Sequence, residues 1–216
     1  VMSRKKSEHI YNEGDIEALK VFAVEAAKAI EHVRLYSEAI VDTATMVYNQ
    51  NYFLTRLREE IARSKRYGHP IALIFVEARG ASSVAKENGA LLLKGIGLLL
   101  KNRIRNVDVL ARYSGERFAI ILPETAQAKA QEQDEVMKKH AEDTMIVAER
   151  LRAGIEQFLA HERAAADIAM SIGVACFDGK NVQFTEDDFI LRVEKALADA
   201  RKTKKTGVVF FKERDE

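Results

Sequence analysis

The hydrophobic pattern of this chain changes period several times, and each change marks an element. Leu19, Phe22, Ala26, Ala29, Val33, Tyr36 and Ile40 recur in alternating steps of three and four, a heptad seam with no Gly or Pro inside it. The seam predicts a long helix over residues 15–40, opened by Asp15 as N-cap. Residues 1–12 are polar and read as a loose end. After a polar, broken stretch, Phe53, Leu57 and Ile61 mark one face of a second helix over residues 52–66, stopped by Gly68-His69-Pro70. Residues 71–76 are then apolar without interruption, the mark of a strand buried on both faces. A helical stretch with a break near Gly89 carries residues 91–104 toward a hairpin. Its arms, 109–113 and 117–122, meet at Ser114-Gly115, where glycine supplies a positive φ that suits strand twist. A long polar, then amphipathic helix is predicted over about 125–159. Residues 168–177 form a second buried strand, 186–202 a helix and 208–211 a closing strand.

The order helix, strand, helix, hairpin, helix, strand, helix, strand predicts an α/β fold. Its sheet would be mixed, of about five strands covered by helices, with the extended N-terminal helix set apart. The central hairpin breaks the alternation of a doubly wound sheet, and no Gly-rich phosphate loop is present, which argues against Rossmann and P-loop folds. A net charge of +1 leaves no global field for nucleic acid or an anionic membrane, so any anion site must be a local cluster. The single cysteine, Cys176, lies in an apolar run, so there is no disulfide framework; a buried thiol in a reducing, cytoplasmic compartment is expected. No apolar run reaches the ~18–20 residues of a membrane span. Charges crowd the hairpin instead, with Arg105, Asp108 and Arg112 before the turn and Glu116 and Arg117 after it.

Four motifs, in order, carry a family resemblance. Asp42-Thr43-Ala44-Thr45-Met46-Val47-Tyr48-Asn49 resembles the Asp-x-Leu-Thr-Gly-Leu-x-Asn opening of GGDEF domains, the diguanylate cyclases. Ser114-Gly115-Glu116-Arg117-Phe118 stands where that family has Gly-Gly-Asp/Glu-Glu-Phe. Ser171-Ile172-Gly173-Val174-Ala175 resembles its late Ser-Ile-Gly-Val strand, and residues 195–207 resemble its last helix and basic turn. The resemblance implies a nucleotidyl-cyclase, palm-like fold and a chemistry that joins two GTP into cyclic di-GMP with two metal ions. It assigns residues 42–216 to a GGDEF domain with a degenerate signature. Residues 1–41 become the end of a sensor plus a coiled-coil linker, because Asn12 to Glu31 resembles the C-terminal helix of GAF domains. An insertion near 128–143, about fourteen residues beyond the family's usual connection, reads as a helix extension or projecting hairpin, solvated or facing a partner.

Metal-assisted attack of a 3′-hydroxyl needs carboxylates that hold divalent ions at the α-phosphate. The resemblance gives that role to Glu77 and Glu116. Arg79 stands where the family has a second Asp, and Arg117 where its signature has an acid; each cation weakens Mg²⁺ binding. Ser114 adds a side chain where the nucleotide must come close. The stretch 82–91, shortened by about four residues, supplies no guanine-reading Asn or Asp. Arg201 and Lys205 match the family's phosphate contacts as Lys/Arg exchanges, or are ordinary helix-end cations. The second family site fares better. Arg105-Asn106-Val107-Asp108 matches the Arg-x-x-Asp motif of product inhibition, and Ala148-Glu149-Arg150-Leu151-Arg152 nominates Arg150 as its further arginine. An Arg fork suits phosphate or a guanine Hoogsteen edge, and Asp accepts from guanine N–H donors. A local Arg/Asp surface pair is the plain alternative.

The expectation is a catalytically impaired GGDEF domain acting as a cyclic di-GMP receptor through Arg105, Asp108 and Arg150. No cofactor is expected beyond Mg²⁺ if residual GTP binding remains. A homodimer through the N-terminal helix and a downstream protein partner are also expected. The alternatives are a weakly active cyclase using Glu77 and Glu116, and a dimerising scaffold without nucleotide.

Overall fold

A computed structural model of the chain describes residues 12–83, 86–123, 133–162, 168–203 and 206–212. The chain divides into two units, one ending at Ile40 and the other beginning at Val41. The first holds helix α1 (Glu13–Ile40). Asn12, not Asp15, is its N-cap. Asn12 Oδ1 accepts from the Asp15 N–H at 2.9 Å while Asp15 Oδ2 accepts from the Asn12 N–H at 3.1 Å, a reciprocal box that puts Asp15 inside the first turn. Leu19, Phe22 and Val33 of the seam are exposed. Residues 1–11 and the Tyr36 side chain lie outside the described set.

The second unit is a five-stranded sheet in the order β2-β3-β1-β4-β5. Its strands are β1 (Ile71–Arg79), β2 (Val109–Ser114), β3 (Arg117–Pro123), β4 (Ala169–Phe177) and β5 (Thr206–Phe210). β1 runs antiparallel to β3 and β4, while β5 lies parallel to β4, so the sheet is mixed as expected. The uninterrupted apolar run is the central strand β1, buried through Ala78. Alternation along it divides the core. Ala72, Ile74 and Val76 face one layer with Leu93, Ile96, Leu151 and Ile155, from α3 (Lys86–Lys101) and α4 (Gln133–His161). Leu73 and Phe75 face the other with Phe53, Leu57, Phe189 and Val193, from α2 (Gln50–Tyr67) and α5 (Glu186–Ala200).

Local chemistry sets the ends. Asn49 caps α2, its side chain accepting from Tyr52 N–H, and Gly68 closes it at φ 69°. Thr185 and Asp188 form a capping box on α5. Two expectations are corrected. Gly89 does not break α3, because it is buried within the helix. The helix also stops at Lys101, so residues 102–108 are a turn. Another correction concerns the insertion. Its described part, from Gln133, takes the helix-extension form, continuous with α4, and is packed rather than a solvated excursion: His140 is buried, and Met137 and Ala141 pack on the core. Residues 124–132 lie outside the described set.

The entry to the second unit is tied to β2. Asp42 Oδ1 accepts from the Thr45 N–H at 2.9 Å, the Thr45 hydroxyl at 2.6 Å and Arg112 Nη1 at 3.2 Å. Tyr48 bridges Val41 on one side and Ala111 on the other. No helix among the described residues is long and apolar enough to cross a membrane.

Candidate functional site

The β2–β3 hairpin turns through Gly115-Glu116, between the paired residues Ser114 and Arg117, with Gly115 at φ 48°. Strand register then places Arg117 directly across from Glu77 on β1. Arg117 Nε donates to Glu77 Oε1 at 2.8 Å, and its Nη1 donates to Glu194 Oε1 of α5 at 2.9 Å. Arg201, just past α5, grips Glu77 from the other side, Nε to Oε2 and Nη2 to Oε1, both at 2.7 Å. Glu77 is therefore a buried carboxylate with both oxygens in charge-assisted bonds. Burial pushes its carboxyl up, but hydrogen bonds and charge from Arg201 and Arg117 outweigh this and hold it below the ordinary 4.5.

Glu116 is likewise turned to the chain: its Oε2 accepts from the Gly80 N–H at 3.1 Å and its backbone carbonyl from the Ala78 N–H at 3.0 Å. Arg79 is exposed at the end of β1. These donors do not fit a divalent ion at Glu77. A hard cation there would have to displace two guanidiniums from oxygens they already neutralise. Arg201, nominated for phosphate, has its Nε and Nη2 on Glu77 instead, and Lys205 lies outside the described residues.

The approach to the hairpin is a different environment. Asp108 Oδ2 accepts from the Arg105 N–H at 2.7 Å and the Asp108 N–H donates to the Arg105 carbonyl at 3.1 Å, closing a turn that brings the two residues together. Arg150 of α4 reaches the same place, its Nη2 donating to the Arg103 carbonyl at 2.8 Å. Asp108 is half-buried. Burial raises its carboxyl above the ordinary 3.8, and the Arg105 N–H with the charges of Arg105 and Arg150 offsets this only in part.

Arg105, Asp108 and Arg150 line one groove of ≈ 720 Å³, within the range of about 300–1,000 Å³ usual for small-molecule sites. His140, Asp143 and Thr144 line it as well, and sequence reasoning missed them. His140 is buried, and its Nε2 meets no hydrogen-bond partner among the described residues. Burial drives its imidazole down to about 4, with Arg105 lowering it further and Asp143 opposing. The signal available was their helical spacing with Arg150, masked by the polar run around them. Asp108 also borders a second groove, walled in part by the stacked rings of Tyr48 and Tyr52.

A palm-like mixed sheet, a signature hairpin at its edge and an Arg-x-x-Asp turn leading into it define a cyclase-type domain. The family model "Diguanylate cyclase, GGDEF domain" matches residues 39–207, and the chain belongs to this family. Response regulator PleD of Caulobacter vibrioides is 25% identical over 178 residues, 79% of this chain and 36% of PleD. Diguanylate cyclase A of Treponema denticola is 23% identical, covering 97% of this chain and 54% of that protein. The chain thus spans between a third and just over half of these relatives. Among solved structures, the coiled coil and GGDEF domain of DgcB from Caulobacter crescentus in complex with c-di-GMP matches with TM-score 0.69 at 19% identity. It covers 90% of this chain and 98% of that one. SiaD from Pseudomonas aeruginosa, a diguanylate cyclase in complex with its activator SiaC, matches with TM-score 0.65 at 23% identity over 90% of this chain and 71% of that one.

Proposed function

We propose that this GGDEF domain binds cyclic di-GMP in the groove of Arg105, Asp108 and Arg150 and is impaired in making it. The observation that carries the impairment is the saturation of Glu77 by Arg117 and Arg201. Cyclisation by this family's route needs open carboxylates to hold metal at the reacting phosphate. Here the carboxylate at that strand end serves an ion-pair network joining β1, β3 and α5. The groove supports binding instead: two guanidiniums suit phosphate oxygens or the guanine Hoogsteen edge, and Asp108 suits the guanine N–H edge. That the DgcB domain was solved in complex with c-di-GMP supports the ligand class.

Titration calorimetry with cyclic di-GMP tests the receptor. Removing a charge-assisted contact is worth about 1.5–3 kcal/mol, so Arg105→Ala is expected to weaken binding roughly ten- to a hundredfold. No heat with the native chain, or equal heat with the variant, overturns the reading. Incubation with GTP and Mg²⁺ or Mn²⁺ is expected to give no cyclic di-GMP, and measurable product would overturn the impairment.

The receptor would report through its helix. The exposed Leu19, Phe22 and Val33 of α1 supply an apolar seam for pairing two copies, and a downstream protein would read the paired state. Light scattering at micromolar concentration is expected to give a dimer mass for the native chain and a monomer mass for Phe22→Glu/Val33→Glu. A native monomer, or a variant that stays dimeric, refutes the pairing.

A further inference from the structure

The extra turns of α4 build a wall of the groove, and that wall carries an acid of its own. His140, Asp143, Val147 and Arg150 follow one another in steps of three, four and three, so one face of the helix presents all of them. His140 and Thr144 are buried and anchor this part of the helix. The Thr144 hydroxyl, which donates to the His140 carbonyl at 2.7 Å, fixes the turn between them. Asp143 lies within that turn, exposed, lining the groove shared with Arg105, Asp108 and Arg150. No hydrogen bond or ion pair ties its carboxylate to another described residue. Asp108, by contrast, already has one oxygen on the Arg105 N–H. The groove thus offers a pair of cations and a carboxylate that no described residue engages.

A carboxylate accepts two parallel N–H donors side by side, as in its bidentate pairs with arginine. A guanine base presents such a pair on its Watson–Crick edge, the ring N1–H and the exocyclic amine. Adenine presents an amine beside a ring-nitrogen lone pair, which a carboxylate repels. We propose that Asp143 is a specificity-determining residue of the groove, reading the N–H edge of a guanine base and selecting against adenine. This rests on the receptor reading above and deepens it. The inserted part of α4 then acts as the selective wall of the site.

Electrostatics makes the proposal testable, because charge alone predicts the opposite outcome. A cyclic dinucleotide carries two negative phosphates, so deleting a carboxylate from its groove should tighten every such ligand. If Asp143 reads guanine, deletion should instead weaken the guanine ligand. The experiment is calorimetry on the full chain, native, Asp143→Asn and Asp143→Ala, each with cyclic di-GMP and cyclic di-AMP. Asp143 is solvent-exposed, so the loss expected is about tenfold for cyclic di-GMP, at the low end of charge-assisted bonds. Cyclic di-AMP is expected to bind the variants as well as, or better than, the native chain, so that the preference for guanine narrows. The proposal is overturned if the variants keep or improve affinity for cyclic di-GMP, or if both ligands shift together. With native binding intact and Arg105→Ala still weakening it, such a result removes the role of Asp143 alone. A native chain that binds neither ligand removes both readings.

Discussion

Alanine at position 173 is expected to destabilise the domain by about 3 kcal/mol or more, at the upper end of overpacking effects. Gly173 lies inside the sheet, opposite Phe75 of β1 and Val209 of β5, with α5 directly above it. A Cβ there would stand 2.5 Å from the Leu197 nitrogen, 2.6 Å from the Val193 carbonyl oxygen and 2.9 Å from the Leu197 Cα. All three are backbone atoms, so no side chain can swing aside and the helix itself must lift. That movement would loosen Phe189, Val193 and Leu197 in the core and pull Arg201 away from Glu77. Native domains have only about 5–15 kcal/mol in hand. Urea unfolding is the measurement, with a lowered midpoint at unchanged slope as the expected result. Gly97→Ala is the control. Its added Cβ would meet Phe118 and the Thr45 carbonyl only at 3.4 Å, and alanine favours a helix over glycine by up to about 1 kcal/mol, so no loss is expected. An unchanged midpoint for Gly173→Ala would show that α5 yields freely.

The second large effect is acid sensitivity centred on His140. Burial pushes its imidazole down to about 4 in the folded chain against an ordinary 6.5, with Asp143 opposing and Arg105 adding to the fall. Between those values the unfolded chain takes up a proton that the folded chain refuses. Stability therefore falls as pH drops from 6.5 to about 4, and this contribution levels off below that. The shift corresponds to about 3 kcal/mol in total. Glu77 acts in a lower window. Its folded carboxyl lies below 4.5, so its contribution is complete above 4.5 and is lost as pH falls through the folded value. Unfolding free energies measured from pH 7 to 4 are expected to decline in the native chain and to decline less in His140→Leu. Identical pH profiles for the two proteins would rule His140 out as the source.

The core was largely legible in the sequence because period and burial coincide there. Residues 71–76 are unbroken because β1 is covered on both faces, and Phe53, Leu57 and Ile61 repeat because α2 is covered on one. The hairpin turn was legible because only a few residue types accept the backbone that Gly115 adopts. Element ends were harder to read. In the box between Asn12 and Asp15 either residue resembles a cap, and only the hydrogen bonds assign the roles. Of the groove wall formed by α4, only Arg150 was legible. His140 and Thr144 are single polar residues in a charged stretch, and burial of polar groups leaves no apolar rhythm. The grip of Arg201 on Glu77 spans 124 residues of sequence, so spacing could not reveal it. Family position placed Arg117 beside Glu77 as a hindrance to metal; in the fold it is half of a clamp, with Arg201 as the other half.

Arg112 ties two distant stretches of the domain to one side chain. Besides meeting Asp42, it donates from Nε to the Gly115 carbonyl at 2.9 Å, so one guanidinium joins the first residues of the domain to the signature turn. The strand that bears it begins immediately after Asp108. β2 is only six residues long, with the Arg-x-x-Asp turn at one end and the hairpin turn at the other, so the two turns stand a single short strand apart.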